Sequence, residues 1–152
     1  MTDNLTEKDV IDFVSGLPDV HVLTAGPDNV APEIAWGDTF FFRDPERKHP
    51  FATIVTKDYT GFDTASNLDR PGVYRVNISV GRRRYQELFG HGPEAHAEHH
   101  GDYDYTAADR IIPHPMYAVQ GWVSVVNPGP ATEGPLRELL TGAHSRAARR
   151  QR

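Results

Sequence analysis

The sequence predicts an α+β domain: an antiparallel sheet of about five strands packed against an N-terminal and a C-terminal helix. Three observations carry that expectation. An apolar stripe at helical spacing stands near each end of the chain. Between the two stripes lie segments rich in β-branched and aromatic residues, punctuated by proline, glycine and aspartate clusters. No repeat or linker-like stretch divides the 152 residues, so the chain reads as one domain over 1–152.

The elements follow in order. Thr6 can cap a first helix, with Glu7 and Asp9 in the turn where the helix dipole favours acids. Val10, Phe13, Val14 and Leu17 form its apolar stripe, and Gly16 and Pro18 end it. Residues 20–24 read as a short strand, and 25–29 (AGPDN) as a turn. Three longer strands follow at 33–42, 51–57 and 73–80. Over 73–80, Arg75, Asn77 and Ser79 alternate with Val76, Ile78 and Val80. Helices are therefore expected on one sheet face, with the other face solvated or carrying a site. The connection 43–50 is charged and bounded by proline; 58–72 is longer and closes on Asp69-Arg70-Pro71-Gly72.

A short helix is expected over 82–89, and a helical turn over 105–111. Between them, 90–104 is histidine-rich and flanked by glycines, the composition of a surface loop. A strand centred on 122–126 precedes the break at 127–130. The last helix is expected from about 132 to about 149, with Leu136, Leu139, Leu140 and Ala143 inward and a basic tail over 146–152. Trp122 is expected in the core between the sheet and this helix.

Composition narrows the function classes. Sixteen Lys+Arg against 21 Asp+Glu give 16 − 21 = −5, which argues against broad nucleic-acid binding, for which a basic surface is needed. The absence of cysteine excludes disulfides, thiolate metal sites and a cysteine nucleophile. The polar, acidic start MTDNLTEKD does not resemble a secretory leader, and no apolar run is long enough for a membrane span. A cytoplasmic protein is the expectation.

Four groups of residues carry candidate chemistry. His91, His96, His99 and His100 stand among Glu94, Glu98, Asp102 and Asp104. The i, i+3 and i, i+4 spacing from His96 would put two imidazoles on one helical face, a ligand set for a divalent metal such as zinc, iron or nickel. The order HAEHH departs from the HExxH zinc motif. On a strand, Trp36, Asp38, Phe40 and Phe42 would share one face. Asp38 would then be an acid or base among aromatics, or the partner of an arginine such as Arg75. Lys57 and Tyr59 open a polar loop that also holds Asp63 and Ser66. His114, fixed between Pro113 and Pro115, would present a rigid ring as a base.

The segments EIAWGDTFFF, PFATIVTKDY, NLDRPGVYRVNI, HPMYAVQGWVSVVNPG and LLTGAHSRAARR together resemble the DUF6194 family of uncharacterised actinobacterial proteins, over nearly the whole chain. That resemblance implies no particular activity. The order PFATIV, VYRVNISVGRRRYQELF, MYAVQGWVSVV and a terminal helix is similar to that of MmcQ/YjbR-like proteins. It implies a cystatin- or frataxin-like α+β fold and, for part of that group, DNA binding, from which the acidic balance here departs.

Two function classes follow. The first is a binding module for a small molecule or partner protein, with a site beside the sheet lined by Trp36, Asp38, Phe40, Lys57, Tyr59, Arg75 and Asn77. The second is a hydrolytic or metal-assisted enzyme using Asp38 or His114, with 96–100 as ligand or lid. DNA binding ranks third. An exposed edge bearing Phe40–Phe42 would favour a homodimer.

Overall fold

The computed structural model describes residues 4–28 and 31–150, the side chains at 149 and 150 excepted. Asn29 of the expected turn and the end of the basic tail lie outside the described residues.

Helix α1 spans Glu7–Ser15 and is set by a capping box. The Thr6 hydroxyl accepts from the Asp9 amide at 3.1 Å, and the Asp9 carboxylate accepts from the Thr6 amide at 2.9 Å. Strands β1 (His21–Thr24), β2 (Thr39–Phe42), β3 (Pro50–Val55) and β4 (Arg75–Ser79) follow. Then come α2 (Gly81–Phe89), α3 (His96–His99), β5 (Ile111–Pro113), β6 (Trp122–Val126) and α4 (Glu133–Arg150). The class is α+β, as the sequence indicates. The sheet has six strands, ordered β1-β2-β3-β4-β6-β5, with every neighbour antiparallel. The additional strand is β5; the helical turn expected over 105–111 does not form a helix, and its last residue, Ile111, opens this strand. Three residues are too few for a period to show, and Ile111–Pro113 extend because β6 offers them a pairing edge.

Register sorts the side chains. One cross-strand row runs Phe41, Ala52, Ile78, Val123; the next runs Ile54, Val76, Val125. These rows share a buried core with Val10 and Val14 of α1 and Leu136, Leu139 and Leu140 of α4. Burying each such side chain contributes about 1.5–3 kcal/mol, which holds both helices on this face. The row between them, Phe40, Thr53, Asn77, Ser124 and Ile112, faces the other way.

That second face is not solvated, because all five residues of β4 are buried. The chain segments 59–66 and 113–122 supply its cover, as the contacts of Arg75 and the lining of the cavity below show. The strand expected over 33–42 is also shorter. Glu33–Ala35 form a 3₁₀ turn and Gly37 adopts φ +93°, which only glycine takes without strain. Strand alternation therefore does not reach back to Trp36, on the far side of Gly37 from Phe40. Among the described residues, no helix is long and apolar enough to cross a membrane.

Candidate functional site

The second face is organised around Arg75, whose side chain is fully buried on the central strand β4. Its Nη2 donates to one Asp63 oxygen at 2.6 Å and its Nη1 to the other at 3.1 Å, a fork-on-fork pair. Nη1 also donates to the Ser66 hydroxyl at 3.0 Å, and Nε to the Asn77 side-chain oxygen at 2.8 Å. Asp63 reaches this position because its segment folds back in a tight turn. The Tyr59 amide donates to the Asp63 carbonyl at 2.9 Å, and the Asp63 amide to the Tyr59 carbonyl at 2.8 Å. Asn77 completes the floor: its oxygen accepts from Ser124 at 2.7 Å and its nitrogen donates to Thr53 at 3.0 Å. A buried charge paired in this way avoids the large cost of a lone buried ion.

Above this floor is a cavity of about 320 Å³. Phe40, Val55, Tyr59, Phe62, Tyr117 and Trp122 form its walls, with His114, Asp63, Arg75 and Asn77 among the polar lining. His114 is 3% exposed. Its Nδ1 accepts the amides of Met116 at 2.9 Å and Tyr117 at 3.0 Å. Two donors on Nδ1 fix the neutral tautomer with its proton on Nε2. Burial, and then the Arg75 charge, push the ring far below the usual histidine range. His114 is therefore a rigid donor rather than the base expected from the sequence, since its only lone pair is already taken.

Asp38 does not line the cavity but meets its wall through Tyr59. It is fully buried, accepts from the Thr56 amide at 2.9 Å and hydroxyl at 3.2 Å, and takes a short hydrogen bond from the Tyr59 hydroxyl. Burial, and next the hydrogen bond to Asp38, hold the Tyr59 hydroxyl above the usual phenol range. Lys57 Nζ lies 3.7 Å from Asp38 and donates to the Trp36 carbonyl at 2.5 Å. Asp38 thus pairs with Tyr59 and Lys57, and Arg75 with Asp63.

Of the candidates read from the sequence, Phe40, Tyr59, Arg75, Asn77 and His114 line one cavity. Asp38 and Lys57 support it through Tyr59 without lining it. Trp36 stands apart, 38% exposed on its turn. Trp122 lies in the cavity wall and not between sheet and helix, because its partner in register is Ser79, on the strand's polar side. Phe62 and Tyr117, 6.1 Å apart between ring centres, form another part of the wall that sequence spacing did not indicate.

The histidine segment is not a loop. It forms 3₁₀ turns at Pro93–Ala95 and His100–Asp102 around α3, with His96 buried. Its rings pair off instead of converging. His91 and His99 stack at 4.0 Å and 10°, and His91 Nε2 meets the Tyr103 hydroxyl at 3.0 Å. His96 Nε2 lies 3.3 Å from His100 Nδ1, which also meets the Tyr105 hydroxyl at 3.1 Å. Burial, then its histidine neighbours, lower the basicity of His96. Among the described residues, no group of three or more ligand side chains is placed to hold a metal, so the expected ligand set does not assemble. The basic run at 82–84 is also engaged: Arg82 pairs with Glu94, Arg83 with Glu87, and Arg84 with Glu87 and Glu138.

A family model described as a family of unknown function, DUF6194, matches residues 5–152, and the chain belongs to that family. No curated protein matches. Among solved structures, the chain is similar to a Deinococcus radiodurans protein whose family-model domain is DUF419. The two are 19% identical, with a TM-score of 0.51, over 91% of this chain and 75% of that one. At that identity the likeness shows a shared fold and nothing about activity.

Proposed function

We propose that this DUF6194 member is a small-molecule-binding module whose ligand occupies the second face of the sheet, among Phe40, Tyr59, Asn77, His114 and Trp122. The observation that carries the reading is the 320 Å³ cavity, with aromatic walls and a floor of buried polar groups fixed by one another. Ligand sites combine these properties: concavity, an apolar majority and a few rigid polar groups. The second face could have been closed with apolar side chains at lower desolvation cost than a buried arginine–aspartate pair.

Binding is favoured over acid–base catalysis for a specific reason. An acid–base pair has to present an available lone pair and an available proton to the same cavity. His114 has its Nδ1 lone pair occupied by two amides, and Asp38 does not line the cavity. The test is a fragment screen by intrinsic fluorescence in a Trp36→Phe background, which leaves Trp122 as the reporter. Compounds that bind are expected to change Trp122 emission and raise the melting temperature. A screen without any saturable change would overturn the reading.

A further inference from the structure

The lining of the cavity points to the chemical class of its ligand: we infer an uncharged ring compound bearing a carbonyl or ring-nitrogen acceptor, held by the Nε2–H of His114. The inference rests on the binding reading above and adds the substrate class to it. Three observations carry it.

The first is charge. Asp63 and Arg75 line the cavity and neutralise each other through two hydrogen bonds, and His114 is kept neutral by burial and by the tautomer its amide partners impose. Lys57, which does not line the cavity, is turned to Asp38 and the Trp36 carbonyl. A carboxylate or ammonium ligand would lose its hydration without meeting a net opposite charge, which is unfavourable.

The second is a waiting donor. The floor is satisfied internally: the Asn77 oxygen is taken by Arg75 and Ser124, and its amide nitrogen donates to Thr53. His114 differs. With Nδ1 engaged, its remaining polar atom is Nε2–H, which has no hydrogen-bond partner among the described residues and is not among their wholly buried unpaired atoms, so the little exposure the ring keeps leaves this donor open to the cavity it lines. A ligand that fills the cavity cuts this donor off from water, so one offering an acceptor here keeps a hydrogen bond that one offering a donor or a methyl group forfeits.

The third is shape. Phe40, Tyr59, Phe62, Tyr117 and Trp122 line the space, and aromatic walls favour stacked or edge-on rings. At about 30 Å³ for a water-sized group, the 320 Å³ cavity admits roughly ten such groups, the size of a fused bicycle.

The experiment compares three near-isosteric bicycles by two-dimensional NMR titration of the whole chain: 1-indanone (neutral, with an acceptor), indane (no acceptor) and indane-1-carboxylate (anionic). The expected result is that 1-indanone binds about tenfold more tightly than either of the others. In His114→Leu, 1-indanone should fall to the level of indane. Should that variant fail to fold, the His114 Nε2–H resonance of the unmodified protein gives the answer, moving downfield with 1-indanone and not with indane. Tighter binding of the carboxylate, or equal binding of 1-indanone and indane, would overturn the ligand class and leave the binding module standing. Binding by none of the three would overturn both.

Discussion

Replacing Asp63 with asparagine tests the physics of the cavity floor. The substitution keeps the shape of the side chain but removes the charge and one acceptor, so the Arg75 guanidinium loses its fork partner. Arg75 is fully buried and the Asp63 side chain is 10% exposed, so water cannot compensate well. Breaking a buried pair from one side costs about 3–5 kcal/mol, because an uncompensated charge remains. Against a total stability of about 5–15 kcal/mol, that is a large fraction. In a chain of this size each kcal/mol moves the melting temperature by about 2–4 °C, so the drop should be roughly 6–20 °C. Urea unfolding followed by circular dichroism, with calorimetry alongside, measures it. The double variant Asp63→Leu/Arg75→Met removes both charges and should recover much of the loss, giving a coupling of about 2 kcal/mol or more. A loss under about 1 kcal/mol for Asp63→Asn alone would show that the pair is exposed to solvent and would refute this description of the floor.

Three further outcomes follow from the same geometry. Gly121 adopts φ +83°, and a Cβ there would meet the Gly81 backbone at 3.1 Å; Gly121→Ala should therefore cost about 2 kcal/mol in urea unfolding, and a neutral result would contradict the close approach that sets the start of β6. His114 is held neutral in the fold, so the unfolded chain binds more protons as pH falls below the ordinary histidine range. Stability should then rise with pH through that window and be lost on acidification below about pH 6.5, at up to about 1.4 kcal/mol per pH unit for this residue. Urea midpoints between pH 7.5 and 5 should show the slope, His114→Gln should reduce it to the part that His96 contributes, and a flat profile for the unmodified protein would contradict it. Tyr59→Phe removes a donor to the buried Asp38 and should cost about 1–2 kcal/mol by thermal unfolding while leaving the aromatic wall intact; no measurable loss would mean that Asp38 finds another partner.

The parts of the fold that the sequence made legible are those with a sustained period. The stripes of α1 and α4 lead directly to Val10, Val14, Leu136 and Leu140 in the core. The alternation in β4 separated Arg75 and Asn77 from Val76 and Ile78, and so identified the floor before its purpose was visible. The same rule misplaced Trp36, because Gly37 ends the alternation at φ +93° and no periodic signal marks that turn. Strand β5 is too short for any pattern, and pairing with β6 determines it. The pairing of Asp63 with Arg75, twelve residues on, depends on a loop that folds back at Tyr59, and spacing alone does not reveal which acid an arginine will meet. Composition misled at 90–104, where glycines and histidines suggested a loop. Tyr85, Tyr103 and Tyr105 give those rings hydrogen-bonding partners and hold them in short helical turns.

The most direct measurement is where a bound compound perturbs the protein. A second cavity of about 290 Å³ lies between the β2–β3 connection and α4, lined by Arg43, Phe51 and Arg146, so the two locations can be told apart. Amide chemical-shift mapping with any hit from the fragment screen should move Phe40, Val55, Asn77 and Trp122 together, leaving Arg43 and Arg146 unchanged. Shifts confined to Arg43, Phe51 and Arg146, with the second sheet face silent, would contradict the assignment of the ligand to that face.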